Sequence, residues 1–259
     1  MKLHDLVPRG PMNPQAEGDQ ARLDSEASFH DARINVEDEH RLGYAYRSVA
    51  DVYSFCEVPP DAFAASVLEL GCFRGDEARK LEGFRGRYAG IDISPAAIEH
   101  CLSLGLPDRF SFRVDDANTL ETIKDGSVDY AFGNGVLHHL DLPRFAPALA
   151  GKLAPSGRAR FIEPAQGSLP LRLFRMMTPG LRTPDEFPFD QGSIQLLRQH
   201  FTVDVTHKAL LRPFIPMLFL NSTVATRAAS WADDRLLRLP MLQDQAWLLQ
   251  IELRPLPDR

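Results

Sequence analysis

Long apolar runs are missing from this 259-residue chain. No stretch approaches the roughly 20 consecutive apolar residues that a bilayer-spanning helix needs, so no transmembrane segment is expected. The start of the chain lacks the basic-then-apolar order of a secretory signal peptide. Basic runs are missing too: 29 Lys and Arg are scattered among 35 Asp and Glu, for a net charge of −6. Affinity for a nucleic-acid backbone draws on clustered cations, so nucleic acid is not an expected partner. Cysteine is scarce. Cys56, Cys72 and Cys101 form no even disulfide set and show no metal-ligand spacing, which argues against a metal site. They fit a reducing cytoplasm, where a buried thiol behaves as a small hydrophobe. Internal repeats are absent as well. What is present is 44% hydrophobic content, enough for one large core with a small extension. Oligomeric state stays open.

The first residues stand apart. Leu6-Val7-Pro8-Arg9-Gly10 matches a thrombin cleavage site of the kind added for purification, which makes Met12 the expected native start. From Asn13 to about Arg33 the chain is polar and poor in large apolar groups, a composition expected to be disordered. Residues 1–35 are read as a tag remnant and a disordered N-terminus, and 36–259 as a single domain. Within it, Leu42, Tyr46, Val49, Val52, Tyr53 and Phe55 recur near helical spacing before Pro59-Pro60, so a helix is expected over about 36–56.

The chemistry begins at Val67-Leu68-Glu69-Leu70-Gly71-Cys72-Phe73-Arg74-Gly75-Asp76. An apolar run ends in an acid, and two glycines follow, the pattern of a buried strand breaking into a tight turn that opens a helix. Glycine there lets the backbone turn sharply and approach a ligand closely. A second strand, Arg87-Tyr88-Ala89-Gly90-Ile91-Asp92, ends in an acid 21 positions after Gly71. Nucleotide-binding α/β folds place a ribose-binding carboxylate about 20 residues past the glycine turn. A dinucleotide site requires G-x-G-x-x-G, whereas Phe73 and Asp76 stand at the second and third glycine positions. A nucleoside without a pyrophosphate is the expected ligand, and a nicotinamide-dependent oxidoreductase is the remote alternative.

Further strands are expected at 109–114, 127–133 and 158–163, with helical segments at 76–82, 95–104, 118–123 and 143–153. Strict alternation of strand and helix implies a parallel sheet with helices on both faces. Beyond residue 164, prolines interrupt regular structure. A helix over 191–200, a strand over 201–206, a helix over about 224–238 and a strand over 245–253 complete the chain.

With Glu69-Leu70-Gly71-Cys72-Phe73-Arg74-Gly75 in place of acid-x-G-x-G-x-G, the chain resembles the class I S-adenosylmethionine (SAM) methyltransferases, in the small-molecule (type 11-like) branch. Three later segments extend the resemblance: Phe110–Val114 followed by Asp115-Asp116-Ala117, Asp125–Leu140 with its Leu137-His138-His139-Leu140, and Leu149–Pro164. The resemblance implies a Rossmann-like, seven-stranded, mostly parallel sheet with an antiparallel last strand. It also implies a helical cover at 36–60 and substrate-roof insertions at 165–190 and 207–240. SAM is the implied cofactor. Glu69, Gly71, Cys72, Phe73, Gly75, Asp92, Ile93, Asn134 and Gly135 are its expected site, with Asp115, Asp116 and Ala117 near the adenine.

The implied activity is methyl transfer to a small or medium organic substrate. Oxygen is the first choice of acceptor, in secondary metabolism or cofactor biosynthesis. Nitrogen, carbon and sulfur acceptors and a non-catalytic SAM-binding protein stay open. Removing a proton from the acceptor calls for a base, and His138 or His139 supplies one in a position where open α/β sheets bind ligands. Tyr46, Glu163, Phe214 and Phe219 are candidate substrate residues, Glu163 having a capping role as its alternative.

Overall fold

The computed structural model describes residues 27–28, 31, 58–165, 168–169, 171–172, 176, 189–215 and 222–256. The expected helix at 36–56, most of the 165–190 insertion, and the candidates Tyr46 and Phe219 lie outside the described residues.

Seven strands form one sheet in the order β3-β2-β1-β4-β5-β7-β6. They are β1 Ser66–Leu70, β2 Arg87–Asp92, β3 Phe110–Val114, β4 Val128–Asn134, β5 Leu153–Pro164, β6 Phe201–Lys208 and β7 Leu248–Pro255. β1 to β5 run parallel, and β7 is inserted antiparallel between β5 and β6. The carboxyl ends of the five parallel strands therefore share one rim. β1 and β4 are neighbours across the point where strand order reverses, the place where doubly wound sheets open a ligand crevice.

The helices are α1 Asp76–Arg79, α2 Pro95–Ser103, α3 Leu142–Lys152, α4 Gln191–Leu197, α5 Thr223–Leu236 and α6 Pro240–Gln243. Their starts follow from side-chain caps. The Ser94 hydroxyl accepts from Ala97 N–H with Pro95 at the first helical position, Asp190 and Ser193 form a capping box, and Ser222 caps α5. Each sheet face carries its own apolar layer. Leu68, Ile91, Phe161 and Ile251 pack against Phe145 and Leu149 of α3 and Leu197 of α4. On the other face Tyr88, Phe112 and Phe132 pack with Ile98 and Cys101 of α2. Burying one such side chain stabilises by about 1.5–3 kcal/mol, so the sheet is a rigid platform for its rim.

One expectation is corrected. Residues 118–123 form turns, not a helix. Asp116 accepts from Asn118 N–H, Asp115 accepts from Thr122 N–H and Oγ1–H, and Leu120 sits at φ +52°. Acidic side chains that bond nearby amides compete with helix formation, and a left-handed residue ends it. In the N-terminal stretch, Ala27, Ser28 and Asp31 are helical, and the rest of residues 1–57 lies outside the described residues. The Ser94 hydroxyl donates to the Asp31 carboxylate, a long-range contact that composition does not show. Among the described residues, no helix is long and apolar enough to cross a membrane, and no metal-binding cluster occurs.

Candidate functional site

The turn after β1 is built on left-handed backbone. Gly71, Phe73 and Gly75 have φ of +69°, +40° and +70°. Phe73 stands where the glycine pattern has its middle member. A large side chain held there costs about 1–3 kcal/mol, strain that persists only when the surroundings fix it. They do so here: Phe73 N–H donates to Asp92 Oδ2 at 2.9 Å, and the Cys101 thiol donates to the Phe73 carbonyl at 3.2 Å. Gly71 and Cys72 both donate to the Ile91 carbonyl, tying the turn to β2. Gly71 is exposed on the rim. The Cys72 side chain is buried in the core, so only its backbone reaches the rim. Cys72 and Cys101 share a thiol hydrogen bond that pushes the Cys72 thiol up, with burial, and holds that of Cys101 down.

Three acids, Asp92, Asp115 and Asp116, stand at the ends of the next two strands on the same rim, and a fourth, Glu69, lies beneath the turn. Asp92 ends β2 and accepts from Phe73 N–H and from Ser94 N–H, each at 2.9 Å. It therefore positions two loops while keeping lone pairs for a ligand. Ile93 beside it is half-buried. After β3, the two adjacent acids differ in their neighbours. Asp115 is buried, with its Oδ2 bonded to Thr122. Asp116 is half-buried and uses Oδ1 for Asn118, which leaves Oδ2 without a donor among the described residues. Asp115 Oδ1 is likewise without a donor among the described residues, so the two acids differ in exposure, and Asp116 is the more accessible. Ala117 is half-buried and packs on the core. Glu69 lies inside the sheet and accepts from the Tyr88 hydroxyl. Burial pushes its carboxyl well above the ordinary carboxylate range, and the Tyr88 bond opposes that; burial likewise raises the Tyr88 phenol.

β4 ends at Asn134, whose Oδ1 is a buried acceptor with no hydrogen-bond donor. Gly135, at φ +62°, donates to the Ile162 carbonyl and turns the chain into the 3-10 turn Leu137–His139. Glu163, fully buried near the end of β5, accepts from Val136 N–H at 3.0 Å and Leu137 N–H at 2.7 Å. The same carboxylate lies 2.7 Å from His138 Nδ1. Glu163 therefore caps this turn and orients the imidazole. The His138 and His139 rings pack at 4.1 Å between centroids. His138 is buried and His139 half-buried.

The described ends of the two insertions meet near the start of β7. Ala165 N–H donates to the Trp247 carbonyl, and Trp247 N–H to that of Ala209. Phe214 packs edge-on against Trp247, with centroids 5.5 Å apart. Buried Asp233 of α5 accepts from the amides of Leu210, Leu211 and Arg212, anchoring the helix to the connection after β6. Tyr88, Cys101 and Asp233 carry no motif, and their roles come from contacts distant in sequence. Ser94 carried a signal that went unread, since Ser-Pro before an apolar-periodic stretch marks a helix start.

Residues 68–161 match the family model described as a methyltransferase domain. Solved structures similar to this chain include a SAM-dependent methyltransferase from Mesorhizobium loti, at 15% identity over 80% of this chain and 97% of that one, with a TM-score of 0.59. Geranyl diphosphate C-methyltransferase from Streptomyces coelicolor is 13% identical over 94% and 98%, with a TM-score of 0.58. Phosphoethanolamine N-methyltransferase 2 from Haemonchus contortus is 17% identical over 96% and 62%, with a TM-score of 0.53.

Proposed function

We propose that this chain, which carries a class I SAM-dependent methyltransferase domain, methylates a hydroxyl group of a small or medium organic molecule, with His138 as the general base. The residues at the rim fit SAM. Asn134 Oδ1 is a buried acceptor awaiting a donor, and Asp116 keeps a free oxygen near the end of β3. Asp92 and Asp116 have no cationic side-chain partner among the described residues, which suits a ligand carrying a sulfonium and an ammonium group. In this reading Asp92 holds the ribose hydroxyls, Asp116 the adenine amino group, and the Gly71 turn leaves room for the nucleoside. Bound SAM supplies an electrophilic methyl group on a sulfonium.

The reading of the acceptor is carried by the His138–Glu163 pair. A carboxylate 2.7 Å from Nδ1 accepts a hydrogen bond from Nδ1–H, favouring the tautomer that leaves Nε2 as the lone-pair nitrogen. Nε2 is then the atom that removes the proton of an acceptor hydroxyl as the methyl group arrives. The structurally similar enzymes named above include a C-methyltransferase and an N-methyltransferase, so the acceptor atom is the feature most in need of a test. His138→Gln should lower kcat by about 10²–10⁴-fold, the usual contribution of a positioned base, and leave SAM affinity unchanged. A kcat within about threefold of the native value would mean an acceptor that needs no base, such as a free amine. A role in secondary metabolism or cofactor biosynthesis in the cytoplasm completes the proposal.

A further inference from the structure

We infer that a second binding site, for a small phosphorylated molecule, lies at the opposite edge of the sheet from the rim. The turns at 118–123 leave uncovered a sheet face that a helix would otherwise fill. The result is a groove of about 510 Å³ against β1, β2 and β3, within the range of small-molecule pockets. It opens at the amino ends of the strands, marked by Ser66, Arg87, Arg109 and Ser127, and includes none of the loop residues assigned to SAM, meeting the rim only through Thr122, which bonds Asp115.

Its floor is apolar, formed by Leu68, Ala89, Ile123 and Val128. Its walls carry Arg87, Arg109, Arg113 and Lys124, four cations against the one lining carboxylate, Asp108. All four cations are exposed. Arg113 donates to the Thr122 carbonyl at 3.1 Å, and none of the four has an acidic partner among the described residues. Asp129, at the lip, accepts from Ser66 N–H. Four uncompensated cations around one concavity repel one another, and this chain has a net charge of −6, so charge is concentrated here against the trend of the molecule.

Guanidinium groups bind phosphate through paired N–H donors. The apolar floor would take the body of the ligand. A nucleic-acid backbone would need a longer cationic track, which a single groove on an acidic chain does not provide.

The test is calorimetric titration of protein saturated with S-adenosylhomocysteine, so that the rim is occupied. The probes are inorganic pyrophosphate and AMP, titrated separately, with a single-stranded oligonucleotide as the third arm. Both small probes should bind one to one. In Arg87→Ala/Arg109→Ala their affinity should fall at least about tenfold, as expected for loss of charge-assisted bonds. Because both side chains are exposed, that variant should keep the native melting temperature and SAM affinity. Absence of heat with both probes at about 1 mM, the weak end of specific binding, would overturn the inference. So would equal affinity in the variant, or binding of the oligonucleotide alone.

Discussion

Replacing Asp92 by Ala separates the two duties that the structure assigns to one carboxylate. The first is structural. The side chain accepts from Phe73 N–H and Ser94 N–H, each at 2.9 Å, and is itself 7% exposed. Each amide left without an acceptor costs about 1–3 kcal/mol, so the pair costs about 2–6 kcal/mol. In a domain of this size that lowers the melting temperature on the order of 10 °C. The second duty is to hold the ribose. Loss of a hydrogen bond to a charged acceptor is worth about 1.5–3 kcal/mol, or about 10- to 150-fold in SAM affinity. Asp115→Ala is the control. It removes the bonds to Thr122 N–H and Oγ1–H and should cost comparable stability with little change in SAM affinity. Thermal melts and calorimetry on the two variants decide the matter. A folded Asp92→Ala protein with native SAM affinity, or equal losses of affinity in both variants, would refute the reasoning.

Two further outcomes follow from the same rim. Burial holds the Glu69 carboxyl well above the ordinary range, so the folded state takes up a proton more readily than the unfolded chain. The corresponding stability is full below the unfolded carboxylate pKa and is lost as pH rises through the folded one. Glu69→Gln should therefore flatten the fall in melting temperature of the ligand-free protein as pH rises above about 4.3, the unfolded carboxylate value; parallel pH curves for the two proteins would contradict this. Gly71→Val places a β-branched side chain at φ +69° on the exposed rim, where its first carbon meets only Val136, at 3.5 Å. The variant should fold, as read by circular dichroism, and fail to bind SAM; native affinity would make the turn purely structural.

The parallel strands were legible because β1, β2 and β4 are apolar runs closed by Glu69-Leu70-Gly71, Asp92 and Asn134-Gly135, and buried strands of a parallel sheet need that composition. The turn after β1 was legible as glycines, but not the φ of +40° at Phe73. Nothing in a phenylalanine signals left-handed backbone; the Asp92 and Cys101 bonds that hold it come from other elements. Periodicity read 118–123 as a helix, because apolar spacing does not record the competition from Asp115 and Asp116 for nearby amides. Adjacent acids and adjacent histidines could not be told apart in the chain. The fold separates them: Asp115 is buried and Asp116 half-buried, while Glu163, 25 residues beyond His138, holds that imidazole through a pairing across β4 and β5.

The most direct test of the central claim is a crystal structure of the protein with S-adenosylhomocysteine bound. The account predicts the ribose hydroxyls within hydrogen-bonding distance of Asp92, the adenine amino group on Asp116 Oδ2, and the amino-acid end near Asn134 Oδ1. The thioether sulfur should then face the space beside His138. A nucleoside bound elsewhere, or bound at the rim with Asp92 and Asp116 both out of reach, would contradict it.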